Sequence, residues 1–436
     1  MCRLLLVVVA LVTAGGACSS DDDDSVATSP RTASTEIGSD PARQALDEVV
    51  GWLADPQAAD AEAFADVFLQ QVPIEDLRQV LAEIGTGSWT AFGVQSPAPG
   101  AVTARLEGPG PPLVVQLQVD DEGRIAGLLF QPALTDPPAD LAGLVERLSA
   151  TAPTAGFLRA DVAPDGSCSP VAEVAPDALL PIGSAFKLYV LGAVGAMIES
   201  GEIGWDDAVE IRDELDSLPS GTTQDEPAGS TLSVRELATR MISISDNTAT
   251  DHLIDLVGRD EVGQALVTLG HSNPAATTPM LTTREMFVIK TNPDLLARYQ
   301  SADVAGRREL LDGEVAAAPL PAVTDFPTTP TSVTTVEWFA SPTDVCRALV
   351  TLDDLAEQPG LEPIRDVLSE NPGGVTEGDF EQVLFKGGSE PGVLFAAWLA
   401  RRPDGSRITV TGGVVDEAAD VNPQALQLLA LGLTLS

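Results

Sequence analysis

The chain has 436 residues, 44% of them hydrophobic and 4% aromatic, a length that exceeds one hydrophobic core and predicts two domains. Its 65 Asp and Glu against 24 Lys and Arg give a formal net charge of −41, an acidity that repels phosphate backbones and argues against a nucleic-acid partner. Two histidines, His252 and His271, leave too few ligands for a His-rich zinc site and almost no choice for a Ser-His-Asp triad.

The first residues are Met1-Cys2-Arg3, an apolar run from Leu4 to Val12, and small residues leading to Cys18. A short positive start, a short apolar stretch and small residues make an export signal rather than a spanning helix. The segment resembles a bacterial lipoprotein lipobox, with Gly15 where that pattern prefers Leu. That resemblance implies a signal peptide over residues 1–17, lipidation of Cys18 and an extracytoplasmic, membrane-anchored protein. An ordinary secretory signal with an incidental Cys18 is the alternative. Residues 18–40, with Asp21 to Asp24 and many Ser and Thr, read as a solvated tether.

From Pro41 to Ile84 apolar residues recur at helical spacing (Ala45, Leu46, Val49, Val50, Leu53, then Phe64, Val67, Phe68) and predict three short helices. From Trp89 to Phe130 short strands broken by Gly and Pro follow, Leu113–Val115 and Ile125–Phe130 the clearest. Helices followed by a small sheet predict an α+β domain over residues 41–134. This region holds no Lys, His or Cys and no cluster that carries chemistry, so a packing, docking or substrate-shaping role is expected.

Pro132 to Asp140 is Pro-rich and marks the boundary; residues 135–150 read as a linker and a first helix, Leu141 to Ala150. The second domain, residues 151–436, opens with strands around Gly156–Val162 and Val171–Val174, turned at Asp165-Gly166. It closes with strands around Val383–Phe385, Val393–Arg401 and Ile408–Val415 and a helix from Asn422-Pro423 to Leu433. Strands at both ends with helices between predict one antiparallel sheet completed by both termini. The exported setting permits a disulfide between Cys168 and Cys346, and two separate buried thiols fit the spacing equally well.

Only three of the 24 cations are lysine: Lys187, Lys290 and Lys386. The default for each is a solvated surface charge, yet an ammonium can lose its proton where a guanidinium cannot. Ser184 and Lys187 stand at i and i+3 on a helix that is apolar on nearly every side. Burial there lowers the lysine pKa and makes it a plausible base for the hydroxyl, against a plain Ser cap with a snorkelling Lys. Ser245-Asp246-Asn247 suits a loop between two helices that aims Ser245 and Asn247 into a cleft while Asp246 caps the next helix. Lys386-Gly387-Gly388-Ser389 ends a strand, where two glycines let another backbone approach. Each element alone also fits capping and turn chemistry.

Together, in this order, the three resemble the S-x-x-K, S-D-N, K-[TSG]-G signature of class A β-lactamases and penicillin-binding proteins. Thr231-Leu-Ser-Val-Arg-Glu-Leu and Ser341-Pro-Thr-Asp resemble flanking segments of class A enzymes, and the likeness covers residues 151–436. It implies a class A β-lactamase-like fold, with Ser184 as acylated nucleophile, Lys187 as its base and Ser245 as proton shuttle to the leaving atom. Asn247 would contact the acyl side chain, and Lys386 would hold a substrate carboxylate. The N–H groups of Ser184 and of Ser389, beside Gly388, would form the oxyanion hole. No cofactor or metal is implied, and the partner is a small molecule, a β-lactam or an ester, handled by a monomer.

The family's deacylating Glu, in an E-x-x-L-N setting, has no match between Asn247 and Ser341. Residues 292–338 read instead as an insertion with a helix at Ala302–Leu311 and a Pro/Thr-rich return that could cover the cleft. Glu285, in Thr282-Thr-Arg-Glu285, reads as a capping box rather than a base. The layout also resembles the actinobacterial two-domain β-lactamase-like proteins of the clavulanic-acid pathway, which implies a steroid-isomerase-like first domain and slow turnover. A peptidoglycan D,D-peptidase and a non-hydrolytic penicillin-binding sensor lipoprotein are the competing functions.

Overall fold

The computed structural model describes residues 40–65, 68, 69, 72–95, 100–120, 122–375 and 380–436, and the export-signal and Cys18 readings lie outside them. The chain divides after Ala133 into two compact units.

In the first unit, Pro41 stands at the first position of α1 (Pro41–Ala54), and the Asp40 carboxylate accepts from the Ala42 N–H at 3.1 Å. Ala42, Ala45, Leu46, Val49, Trp52 and Leu53 share its buried face. A second helix, α2 (Ile74–Ile84), ends at Gly85, whose φ of +114° only glycine adopts readily. Between them come two 3₁₀ turns, Pro56–Ala58 and Ala61–Ala63, and helical backbone at Phe68 and Leu69; the rest of the third expected helix lies outside the described residues. Pro56 and the Asp60 cap close such turns, and Phe64 and Phe68, 4.8 Å apart, serve the core. The strands β1 (Thr90–Gln95), β2 (Ala101–Glu107), β3 (Leu113–Val119) and β4 (Ile125–Pro132) form an antiparallel meander, completing an α+β domain.

The second unit begins with α3 (Leu141–Ser149), capped by Asp140, and the hairpin of β5 (Thr154–Val162) and β6 (Cys168–Val174). Then come β7 (Leu180–Pro181), a 3₁₀ turn Gly183–Phe186, and α4 (Lys187–Ser200). A two-stranded ribbon, β8 (Ala208–Glu210) with β9 (Thr231–Ser233), leads into α5 (Val234–Ser243), α6 (Asn247–Val257) and α7 (Arg259–Thr268). The next helices are α8 (Thr283–Thr291), α9 (Pro293–Ser301) and α10 (Val304–Leu310). The expected Ala302–Leu311 helix is α10, continued by a π-turn over Leu311–Val315. After β10 (Phe339–Ala340) follow α11 (Pro342–Leu355), α12 (Pro363–Ser369), β11 (Gln382–Glu390), β12 (Val393–Arg401), β13 (Arg407–Val415) and α13 (Gln424–Leu431).

The antiparallel sheet runs β11-β12-β13-β5-β6, so both ends of the unit build it. Alternation along the strands feeds two cores: Phe157, Trp398 and Val410 meet α3 and α13 on one face, while Leu158, Phe395 and Leu399 meet α4 and α11 on the other. The first nine residues of α4 are buried all round, the mark of a central helix. Cys168 in β6 and Cys346 in α11 form a disulfide, with Cα atoms 6.6 Å apart, which settles the pairing the sequence left open. The second unit is thus an α+β fold, one antiparallel sheet with helices on both faces, and a small α+β domain precedes it in the chain.

Candidate active site

Ser184 stands at i to Lys187 at i+3, and the Lys187 N–H donates to the Ser184 carbonyl. Ser184 belongs to the 3₁₀ turn Gly183–Phe186, and Lys187 is the first residue of α4. Gly183, with a φ of +48°, turns the chain sharply out of β7 ahead of them. Strand β11 presses on this turn backbone to backbone. A Cβ on Gly388 would lie 2.2 Å from the Ile182 carbonyl oxygen and 2.4 Å from the Ser184 nitrogen, and one on Gly183 would lie 2.9 Å from the Ser389 nitrogen. Both glycines are therefore required for the amides of Ser184 and Ser389 to approach. The Ser184 side of the turn is partly exposed, and among the described residues its hydroxyl has no hydrogen-bond partner.

Lys187 is fully buried, and its ammonium is spent on the Ser245–Asn247 loop. It donates to the Ser245 carbonyl at 2.5 Å, Asn247 Oδ1 at 2.8 Å, Ser245 Oγ at 3.3 Å and the Asp246 carbonyl at 3.4 Å. Burial pulls its pKa down to about 7, opposed by the negative charges of Asp246 and Asp251. Lys386, also buried, donates to Ser245 Oγ and to the Gly387 carbonyl, both at 3.0 Å. Burial, and then the nearby Lys187 ammonium, hold Lys386 well below the ordinary lysine value. The Ser245 hydroxyl thus bridges two lysines whose protons compete.

Ser245 takes a left-handed φ of +59°, a conformation that costs a non-glycine residue on the order of 1 kcal/mol or more. The loop around it is over-determined. The Asp246 carboxylate caps α6 through the Ala249 N–H and also accepts from the Thr222 and Thr223 N–H groups and the Thr223 hydroxyl, each at 2.8 Å. Gly221, at φ +106°, makes room for it, because a Cβ there would stand 2.2 Å from Asp246 Cγ. Asn247, besides accepting from Lys187, donates to the Leu218 carbonyl at 3.3 Å. Behind the loop the buried Asp251 accepts from the Thr283 N–H, its hydroxyl and the Arg284 N–H, each at 2.8 Å, while burial raises its pKa to about 6.

The structure places Ser184, Lys187, Ser245, Asn247, Lys386, Gly388 and Ser389 in one neighbourhood. Glu285 does not join it. Its side chain closes the capping box with Thr282 at the start of α8 and pairs with Arg259 at 2.5 and 2.8 Å. The histidines are structural: His252 Nε2 accepts from the Arg212 N–H at 3.0 Å, and His271 Nδ1 accepts from the Asn273 N–H at 3.0 Å. No group of three potential metal ligands occurs among the described residues. The sequence missed the environment of Lys290, which is buried against Glu390 rather than solvated; its only signal was the scarcity of lysine.

Residues 146–319 match the model of the beta-lactamase enzyme family, and residues 33–125 match the model described as ORF 12 gene product N-terminal. No curated protein matches the chain. Similar solved structures include a beta-lactamase from Sphaerobacter thermophilus, 23% identical over 67% of this chain and 94% of that one, with a TM-score of 0.47. PBP-A, solved also as a mutant acyl-enzyme complex with penicillin G, is 20% identical over 68% and 96% of the two chains, with a TM-score of 0.46. A beta-lactamase from Chitinophaga pinensis is 18% identical over 66% and 95%, with a TM-score of 0.46.

Proposed function

We propose that this protein, whose residues 146–319 match the model of the beta-lactamase enzyme family, is a serine hydrolase that acylates Ser184 with a β-lactam or an ester and releases the acyl group slowly. The observation that carries this reading is the convergence of two buried lysines on one serine hydroxyl beside the Ser184 turn. Lys187, poised to lose its proton near neutrality, accepts the proton of the Ser184 hydroxyl as Oγ attacks the carbonyl carbon. The C–N bond of a lactam, or the C–O bond of an ester, breaks. The Ser245 hydroxyl gives its proton to the departing atom and is reprotonated from the lysines it touches. The Ser184 and Ser389 N–H groups stabilise the oxyanion, and Lys386 attracts a substrate carboxylate.

The groups around Lys187 support the reading of slow release. Its four acceptors are two carbonyl oxygens, a hydroxyl and an amide oxygen, with no carboxylate among them to activate water. Glu285 is committed to Arg259 and to the α8 cap. Export and lipidation at Cys18 complete the proposal and tether the hydrolase outside the membrane.

Intact-mass spectrometry of residues 40–436 incubated with penicillin G tests it. A Ser184-dependent adduct that persists, and that is absent in Ser184→Ala, is expected. Rapid clearance would overturn slow deacylation. Absence of any adduct, with activated esters too, would overturn the hydrolase and favour the sensor, while turnover of a D-Ala-D-Ala peptide would favour the D,D-peptidase.

A further inference from the structure

Behind the Ser184 turn lies a buried charge cluster that the chemistry above does not use. Lys290, in the last turn of α8, donates to both oxygens of Glu390 at 2.5 and 2.6 Å, and the two side chains are 1% and 10% exposed. Glu337 is buried beside them in hydrogen-bonding contact with Glu390. One of its oxygens accepts from the Trp338 N–H at 2.6 Å, and the other finds no donor while both carboxyls are ionised. A single proton between the two carboxyls satisfies that oxygen and leaves the three groups neutral overall.

The cluster touches both sides of the backbone contact at the site. Glu390 follows Ser389 directly on β11. Glu337 precedes Trp338, whose carbonyl accepts from the Ile182 N–H at 2.9 Å and whose ring stacks on Phe186 with centroids 3.8 Å apart. Ile182 and Phe186 bracket Gly183, Ser184 and Ala185.

We propose that Lys290, Glu390 and Glu337 form a proton-sharing brace that positions the Ser184 and Ser389 amides toward an acyl oxygen and keeps the charge behind them near zero. The role rests on the serine-hydrolase reading. Burial raises both carboxyls above their ordinary range, Lys290 opposing it. When alkaline solution removes the shared proton, an uncompensated negative charge appears behind the amides and opposes the oxyanion. The charged and titratable groups facing Glu337 are Lys290 from α8, Glu390 from β11, and Tyr299 and Arg307 from α9 and α10, which line a small cavity with it.

The test is the rate of acylation by p-nitrophenyl acetate, read by intact mass between about pH 6 and 10, in wild type, Glu337→Gln and Lys290→Met. This ester carries no carboxylate for Lys386 to hold, and the titrations of Lys187 and Lys386 are common to wild type and Glu337→Gln. Glu337→Gln keeps a donor for Glu390 but cannot ionise, so its alkaline fall should move up by about one pH unit or more with the acid limb unchanged. Lys290→Met should slow acylation about tenfold or more at neutral pH with the circular dichroism preserved. Infrared spectroscopy, independent of activity and of the less conservative variant, should show a protonated-carboxyl band in wild type that Glu337→Gln lacks. Superimposable pH profiles, or no such band, overturn the brace alone. A wild type no more reactive than Ser184→Ala overturns the hydrolase reading, and with it the brace's role, while the infrared band still reports the shared proton.

Discussion

A buried lysine pays for its desolvation in the charged form, and Lys187 does so beside a serine. Its depressed pKa means that below about pH 7 the folded chain carries an unfavourable buried ammonium. Between about 7 and 10.5 the unfolded chain binds the extra proton, so this group makes stability rise with pH across that window. The same titration should control chemistry: the acylation rate of Ser184 should rise through about pH 7. Lys187→Ala should lower it on the order of 10²-fold or more at every pH, with the thermal melt run in parallel to show that the chain stays folded. A wild-type rate flat from pH 5 to 9 would remove Lys187 as the base. At this scale the sequence was informative where chemistry is scarce. Two of three lysines fell in motif slots, and an apolar helix around Lys187 announced its burial. It was silent on Lys290, because burial beside Glu390 comes from a partner 100 residues away and no local pattern encodes such a pair.

Among the elements, β11 holds the nearest thing to a geometric requirement. The apolar alternation ends at Phe385, so the strand reads as stopping where Lys386-Gly-Gly begins, yet pairing continues to Glu390 with Gly387 opposite Ala396 and Gly388 opposite Phe395. Side-chain pattern shows a strand only while there are side chains to alternate. Gly388→Ala should force the β11 backbone away from the Ser184 turn, costing on the order of 1–3 kcal/mol and abolishing acylation. Gly387→Ala is the control: its Cβ would meet the end of the Phe385 ring at 3.0 Å and nothing closer, a contact that one ring can relieve. Equal loss in both variants, measured by chemical denaturation and adduct formation, would refute the backbone contact as the reason for the second glycine. The capping box at Thr282 was legible for the opposite reason, since it needs only four consecutive residues.

Across the whole chain, the sheet built from both ends of the second unit followed from where the strands fell. The 3₁₀ turns Pro56–Ala58 and Ala61–Ala63 did not, because three residues are too few to set a periodicity. Cysteine pairing was invisible for a deeper reason: Cys168 and Cys346 are 178 residues apart, and only the folded sheet brings β6 under α11. That distance gives the bond its weight, since closing so long a loop removes much of the unfolded chain's freedom, typically about 2–4 kcal/mol. In a unit of this size the loss should appear as a fall in Tm of roughly 4–8 °C on reduction or in Cys346→Ser. The bond anchors β6, at the opposite edge of the sheet from β11, which carries Lys386 and Ser389. Acylation of Ser184 at 25 °C should therefore be unchanged by reduction while the melt shifts, measured by differential scanning calorimetry and intact mass on the same sample. A parallel loss of acylation would mean that the sheet transmits the strain across all five strands and that the site depends on the bond.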